Sequence, residues 1–184
     1  MGAELHPANF RDVGEILGLW LEPSPIASAR LFRGGRFDTL AAVNDLGSPG
    51  TILNLRRGPD PDHLTGIRHV HVPAEDDVEN YDTRLPRVRR WLGKALSVLA
   101  DPEVTWPVYV HCTSGRDRTG VVIAAALLLV DVPREVVAEE YMLSEGADRS
   151  AIETAIEGIL GERTALPIDR KKLQTALLGG RRSG

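Results

Sequence analysis

The run "TGVVIAAALLLV", residues 119–130, constrains the fold more than any other stretch of this chain. It is apolar on every side, so it predicts a helix buried all round rather than one lying on a surface. It is far too short to span a bilayer, so the protein's own elements must enclose it. A short segment before it stands "PVYVHC" (107–112), a β-branched and aromatic run that reads as a strand. A strand leading straight into an internal helix is the building unit of an α/β domain.

The rest of the chain repeats that alternation. "RLFRGG" (30–35), "GTILNL" (50–55) and "RHVHVP" (68–73) read as further strands. "LEPSPIASA" (21–29) reads as a loop and "FDTLAAVNDLG" (37–47) as a short helix, with Asp38 or Thr39 as its cap and Gly47 at its end. In 81–100, Leu85, Val88, Trp91, Leu92, Leu96 and Leu99 recur at threes and fours, which predicts an amphipathic helix with Pro86 in its first turn. Two more amphipathic helices are expected over 133–145 and 148–160, and a frayed tail over 179–184. The expected architecture is α/β, a central, mostly parallel sheet flanked by helices, in one domain spanning 1–184.

With 184 residues, 42% apolar and 26% charged, the chain can bury a proper core. A net charge of −4 argues against a general nucleic-acid binder. One cysteine cannot form an internal disulfide, and the N-terminal stretch lacks the apolar run of a signal peptide. The expectation is a soluble, cytoplasmic monomer with no membrane span.

Chemistry concentrates at "HCTSGRDRTG" (111–120). The only cysteine, Cys112, sits where a strand ends and a helix begins. Unpaired N–H groups and the helix dipole make that junction an anion site. Gly115 allows close backbone approach, and Arg118 offers a planar fork of donors suited to phosphate. The same field favours a thiolate, so Cys112 is expected to ionise more readily than a free cysteine. An anionic nucleophile inside an anion-binding loop points to attack on a bound phosphate monoester.

The segment resembles the cysteine–five residues–arginine signature of the cysteine-dependent phosphatases, and its Cys-x-x-Gly-Arg-Asp-Arg-Thr-Gly form resembles a bacterial tyrosine phosphatase family. "NFRDVG" (9–14), "RLFRGGRF" (30–37) and "TILNLR" (51–56) resemble that family's other motifs, with Asn54 where an aspartate is usual. The resemblance covers roughly residues 8–145; a C-terminal segment rich in tyrosine and leucine is not found. It implies that Cys112 attacks phosphorus. Thr113, Ser114, Gly115, Arg116, Asp117 and Arg118 would cradle the phosphate, with Arg118 clamping its oxygens. It implies that His111 orients the loop, that Thr119 donates to the sulfur, and that no metal or cofactor is needed. The general acid falls in "VPAEDDVEN" (72–80), where Asp76 aligns best and Asp77 and Glu75 are rivals; Asp117 is a further candidate.

Other charged residues read as structural. Arg11 and Asp12 could form a buried pair bracing the loop. Arg33, Arg56 and Arg57 read as structural or surface residues, as do His69 and His71. Glu139 and Glu140 read as a helix face. The substrate would be a phosphoprotein carrying phosphotyrosine. A small phosphate ester is the alternative, including a phosphoinositide engaged by Arg116 as a second cation, or a sugar or nucleoside phosphate. A phosphate-binding module without turnover is the non-enzymatic alternative.

Overall fold

The computed structural model of the chain describes residues 6–38, 42–161 and 166–179. Among these residues, five strands form one sheet: β1 (Arg11–Asp12), β2 (Leu31–Gly34), β3 (Thr51–Asn54), β4 (Arg68–His71) and β5 (Val108–His111). Their order is β1-β2-β5-β3-β4, with β1 antiparallel to β2 and every other pair parallel. Among the described residues, six helices accompany it: α1 (Val13–Trp20), α2 (Pro86–Ala100), α3 (Asp117–Leu129), α4 (Arg134–Met142), α5 (Arg149–Gly161) and α6 (Arg170–Leu178).

Period-two alternation sorts the strand residues onto two faces. Leu31, Leu53, Val108 and Val110 join the large core built with all six helices. Phe32, Ile52 and Tyr109 point the other way, into a smaller core with Phe37, Leu46 and Leu64. That second face is covered by loops and a 3-10 turn, so the helices gather on one side. Helix α3 lies at the centre of the large core, where every residue from Arg118 to Leu129 is buried. Each fully buried Val, Leu or Ile of it contributes about 1.5–3 kcal/mol. No helix among the described residues is long and apolar enough to cross a membrane.

The structure departs from the expected elements at four places. Of the helix expected over 37–47, the described part from 42 on holds a 3-10 turn, Val43–Leu46, closed by Gly47 at φ 76°, while 39–41 lie outside the described residues. Ala42, just before it, is extended; Asp38 pairs with Arg36 and Arg56. Thr39 lies outside the described residues. β4 is an edge strand and stays mostly exposed, which blurs its alternation. Helix α1 was not foreseen; its cap is Asp12, whose carboxylate accepts from the Gly14 and Glu15 N–H groups. Helix α6 was not foreseen either. Gly179, at φ 69°, closes it, and the rest of the expected tail, 180–184, lies outside the described residues.

Candidate active site

The loop from Cys112 to Arg116 bridges the central strand β5 to the buried helix α3. Its shape is set by where its carbonyls go. Thr113 O accepts from the Arg36 N–H at 3.0 Å, Ser114 O from Asn9 Nδ2 at 2.9 Å, and Gly115 O from Arg33 Nη2 at 2.9 Å. In a trans peptide the C=O and the following N–H point in opposite directions. Three carbonyls tied outward therefore turn the N–H groups of Ser114, Gly115 and Arg116 toward the concave side. No side chain caps α3, so its first-turn N–H groups and its dipole face the same space. Cys112 lies at the base, 1% exposed.

Glycines allow the loop to seat this deeply. Gly115 has φ +72°, and a Cβ there would come within 2.2 Å of the Gly34 carbonyl carbon. A Cβ on Gly35 would meet Thr113 O at 2.9 Å. The "GG" of "FRGG" is thus the floor on which the loop rests.

Arg118 leaves the first turn of α3 and is 3% exposed. It donates from Nη1 to Ala74 O at 3.2 Å and from Nη2 to Thr113 Oγ1 at 3.1 Å. Its Nε–H is buried with no hydrogen-bond partner among the described residues. The Asp76 carboxylate stands 3.3 Å from Nη2 and is largely exposed. Thr119 Oγ1 is likewise buried without a partner.

The four acids that lie close in the sequence analysis separate in space. Among the described residues, Asp76 is the acid that pairs with Arg118. Glu75 pairs with Arg57. Asp77 caps the 3-10 turn Val78–Tyr81 by accepting from the Glu79 N–H. Asp117 accepts from Tyr81 Oη at 2.6 Å and from Arg116 Nε and Nη2 at 3.0 and 3.1 Å. Burial alone would raise the Asp117 pKa, but the Arg116 and Tyr81 hydrogen bonds win and hold it below the usual carboxylate value. Tyr81 moves the other way, pushed up by burial, by Asp117 and by Tyr141, whose hydroxyl lies 2.6 Å from its own.

Two readings of the charged residues need correction. Arg11 and Asp12 do not pair: Arg11 donates to Glu140 Oε1 at 2.7 Å, while Asp12 is committed to α1 and to the Ala29 N–H. Neighbours on a strand point to opposite faces, which forbids the pair. Glu140 is not an exposed helix face. It is 1% exposed and also holds Arg33, 0% exposed, at 2.6 Å. Arg33 in turn grips the Gly115 carbonyl, so the structural reading of Arg33 gains a specific content. Burial, aided by Arg33, holds the Arg11 guanidinium below the usual arginine value, with Glu140 pulling the other way. Glu139 does lie on the surface, paired with Arg149. Arg116 is occupied by Asp117 and the Gly146 carbonyl.

His111 is fully buried, its ring stacked on Tyr109 and edge-on to Phe37. Nδ1 lies 3.2 Å from Cys112 O, and Nε2 lies 3.0 Å from Asp60 Oδ1. Sequence reading overlooked Asn9, Asp60, Tyr81 and Tyr141. Asn9 sits inside the quoted "NFRDVG", but neither spacing nor period ties any of the four to the loop.

A profile of the tyrosine phosphatase family matches residues 5–177. Over 69 residues, 38% of this chain and 24% of the relative, the sequence is 35% identical to the triple specificity protein phosphatase PtpB of Mycobacterium tuberculosis (strain ATCC 25618 / H37Rv). Among solved structures, the core catalytic domain of the PP-IP phosphatase SIW14 from S. cerevisiae, in complex with citrate, aligns with a TM-score of 0.56 at 21% identity, covering 89% of this chain and 97% of that one. DUSP15 aligns with a TM-score of 0.51 at 16% identity, covering 80% and 89%. At these identities the two structures are likenesses of fold.

Proposed function

Because the chain belongs to the tyrosine phosphatase family, whose members are cysteine-based phosphoric monoester hydrolases of the tyrosine- and dual-specificity type, we propose that it dephosphorylates phosphotyrosine in proteins through a phosphocysteine intermediate rooted on Cys112. The observation that carries this reading is the loop itself. Its carbonyls are tied outward, its N–H groups turn inward, and the only thiol of the chain lies at its base.

In the first step the Cys112 thiolate attacks phosphorus as the bond to the leaving oxygen breaks. The loop N–H groups and Arg118 hold the equatorial oxygens where charge builds up. The orphaned Nε–H of Arg118 supports this role, since a bound phosphate would satisfy it. Asp76 gives its proton to the leaving oxygen. In the second step water attacks the phosphocysteine and gives its proton to the Asp76 carboxylate, and the P–S bond breaks. Thr119 Oγ1, a buried hydroxyl lacking a partner, is suited to donate to the departing sulfur.

Asp76 is preferred to Asp117 on geometric grounds, because its exposed carboxylate faces Arg118 whereas both oxygens of Asp117 are engaged by Arg116 and Tyr81. Asp117 is held as an anion by Arg116 and Tyr81, which disfavours proton donation. Its pairing also neutralises Arg116, which weakens the case for a second phosphate bound there and so favours a protein substrate over a phosphoinositide. A cleft of about 500 Å³ beside the loop, lined by Val78, Tyr81, Arg116 and Asp148 among others, offers room for residues flanking the phosphate.

Turnover of an aryl phosphate and of a phosphotyrosine peptide, set against phosphoinositides and sugar phosphates, tests the reading; a preference for either of the latter would displace it. Two substitutions test the roles. Asp76→Asn should slow alkyl phosphates far more than activated aryl phosphates, whose leaving groups need no proton, and should flatten the basic limb of the pH–rate profile. The same leaving-group dependence in Asp117→Asn instead would move the acid into the loop. Arg118→Lys keeps the charge but loses the planar fork, and kcat should fall by roughly 10²-fold or more.

A further inference from the structure

A cavity of about 430 Å³ opens at the end of the sheet opposite the phosphate loop, between α2, α6 and the starts of β2 and β5. Arg30 stands just before β2 and Trp106 just before β5, whereas Cys112 follows the end of β5. The two strands run parallel, so their starts lie side by side, and the Val108 N–H donates to Arg30 O at 3.0 Å. The Arg30 guanidinium lies over the Trp106 indole, its carbon 4.3 Å from the ring centroid. Its Nε donates to the Ala176 carbonyl at 2.6 Å, which pins the group from α6. Its Nη groups make no hydrogen bond or ion pair among the described residues. Burial holds this guanidinium below the usual arginine value, with no carboxylate pulling it back.

The same cavity gathers two more cations. Lys171 and Lys172 lie one turn before Thr175 and Ala176 on α6, and all four line it. Neither lysine pairs with an acid among the described residues. Asp101 is the acid in the wall, and Arg68 already pairs with it at 3.1 Å. The remaining lining is apolar, from Ala100, Pro102, Val104 and Trp106. Small-ligand pockets have this make-up, a concave and mostly apolar space of about 300–1,000 Å³ with a few fixed polar groups. We propose that this cavity binds a small organic anion with a flat aromatic body, its acidic group held by Arg30, Lys171 and Lys172. The charge of the wall selects an anion. Arginine stacks on flat rings, and the apolar lining rewards burial of a ring, so an aromatic acid fits better than a bare inorganic ion. The cavity lies away from Cys112, and the binding does not depend on phosphatase chemistry.

Titration of the full chain with 2-naphthoate, followed by NMR of the tryptophan indole N–H groups and the backbone amides, tests this. The Trp106 indole signal should shift and saturate. The uncharged 2-naphthylmethanol, which keeps the ring and loses the charge, should bind roughly tenfold or more weakly, and so should inorganic phosphate, which keeps charge and loses the ring. Lys171→Gln combined with Lys172→Gln should weaken naphthoate by roughly fivefold or more; both side chains are exposed, so the fold should survive. Arg30→Gln should weaken it further, and the lysine pair carries the test if that variant fails to fold. Four results would each overturn the proposal: no saturable shift at Trp106, equal binding of the alcohol, unchanged binding in the lysine variant, or shifts at the Gly115 amide in place of Trp106, which would put the anion in the phosphate loop.

Discussion

Replacing Cys112 by serine should reduce turnover to below about 1% of the wild-type rate, because a hydroxyl is not ionised near neutral pH and cannot attack phosphorus as a thiolate does. Binding should survive. The outward-tied carbonyls, the uncapped helix α3 and the Arg118 guanidinium are all intact in Cys112→Ser, and none of them depends on the sulfur. The variant should therefore bind inorganic phosphate or vanadate and retain phosphorylated substrates from a cell extract. Turnover of an aryl phosphate and equilibrium phosphate binding check the two halves separately. Activity above about 1% would remove the covalent mechanism, and an inert wild type that still binds phosphate would make the chain a binding module.

Glu140→Ala should give the largest loss of stability of any single substitution considered, about 3–5 kcal/mol by chemical denaturation. Among the described residues, Glu140 pairs with both the buried Arg33 and the partly buried Arg11. Its removal leaves two neighbouring guanidinium groups, one buried and one partly buried, each without that counter-charge. Their other partners are neutral: carbonyls of Asn9, Glu140 and Gly115, and the Ser144 hydroxyl. Function should fall as well, since Arg33 anchors the Gly115 carbonyl and so helps turn the loop N–H groups inward. Glu140→Gln keeps an acceptor at each contact and should lose less. A Glu140→Ala protein as stable as the wild type would mean that these charges are not paired in solution.

Both expectations come from one site, but they differ in how they could be read. Cys112 was legible from sequence because a unique thiol, a glycine and an arginine fall within seven residues, at a strand–helix junction that the apolar pattern itself defines. Helix α3 was legible for the same local reason, being apolar on all faces, and so was α2, whose stripe recurs at helical spacing behind Pro86. Local backbone choice and the burial of a contiguous stripe are decided over a few turns of chain, so the sequence by itself determined them.

Tertiary structure alone decided which distant side chains meet. Glu140 and Arg33 are 107 residues apart, and Asn9 reaches the loop carbonyl at Ser114 across 105. No period or spacing encodes such a meeting, because it depends on strand order and on how α4 packs beside α3. The same holds for the acids at 75–77 and 117, which local chemistry cannot rank. Their roles separate only when Arg118 claims Asp76, Arg57 takes Glu75, the 3-10 turn claims Asp77, and Tyr81 and Arg116 lock Asp117. The nucleophile was written in adjacent residues, whereas the cage that shapes its loop is a set of long-range hydrogen bonds and ion pairs formed only once the sheet and helices have packed.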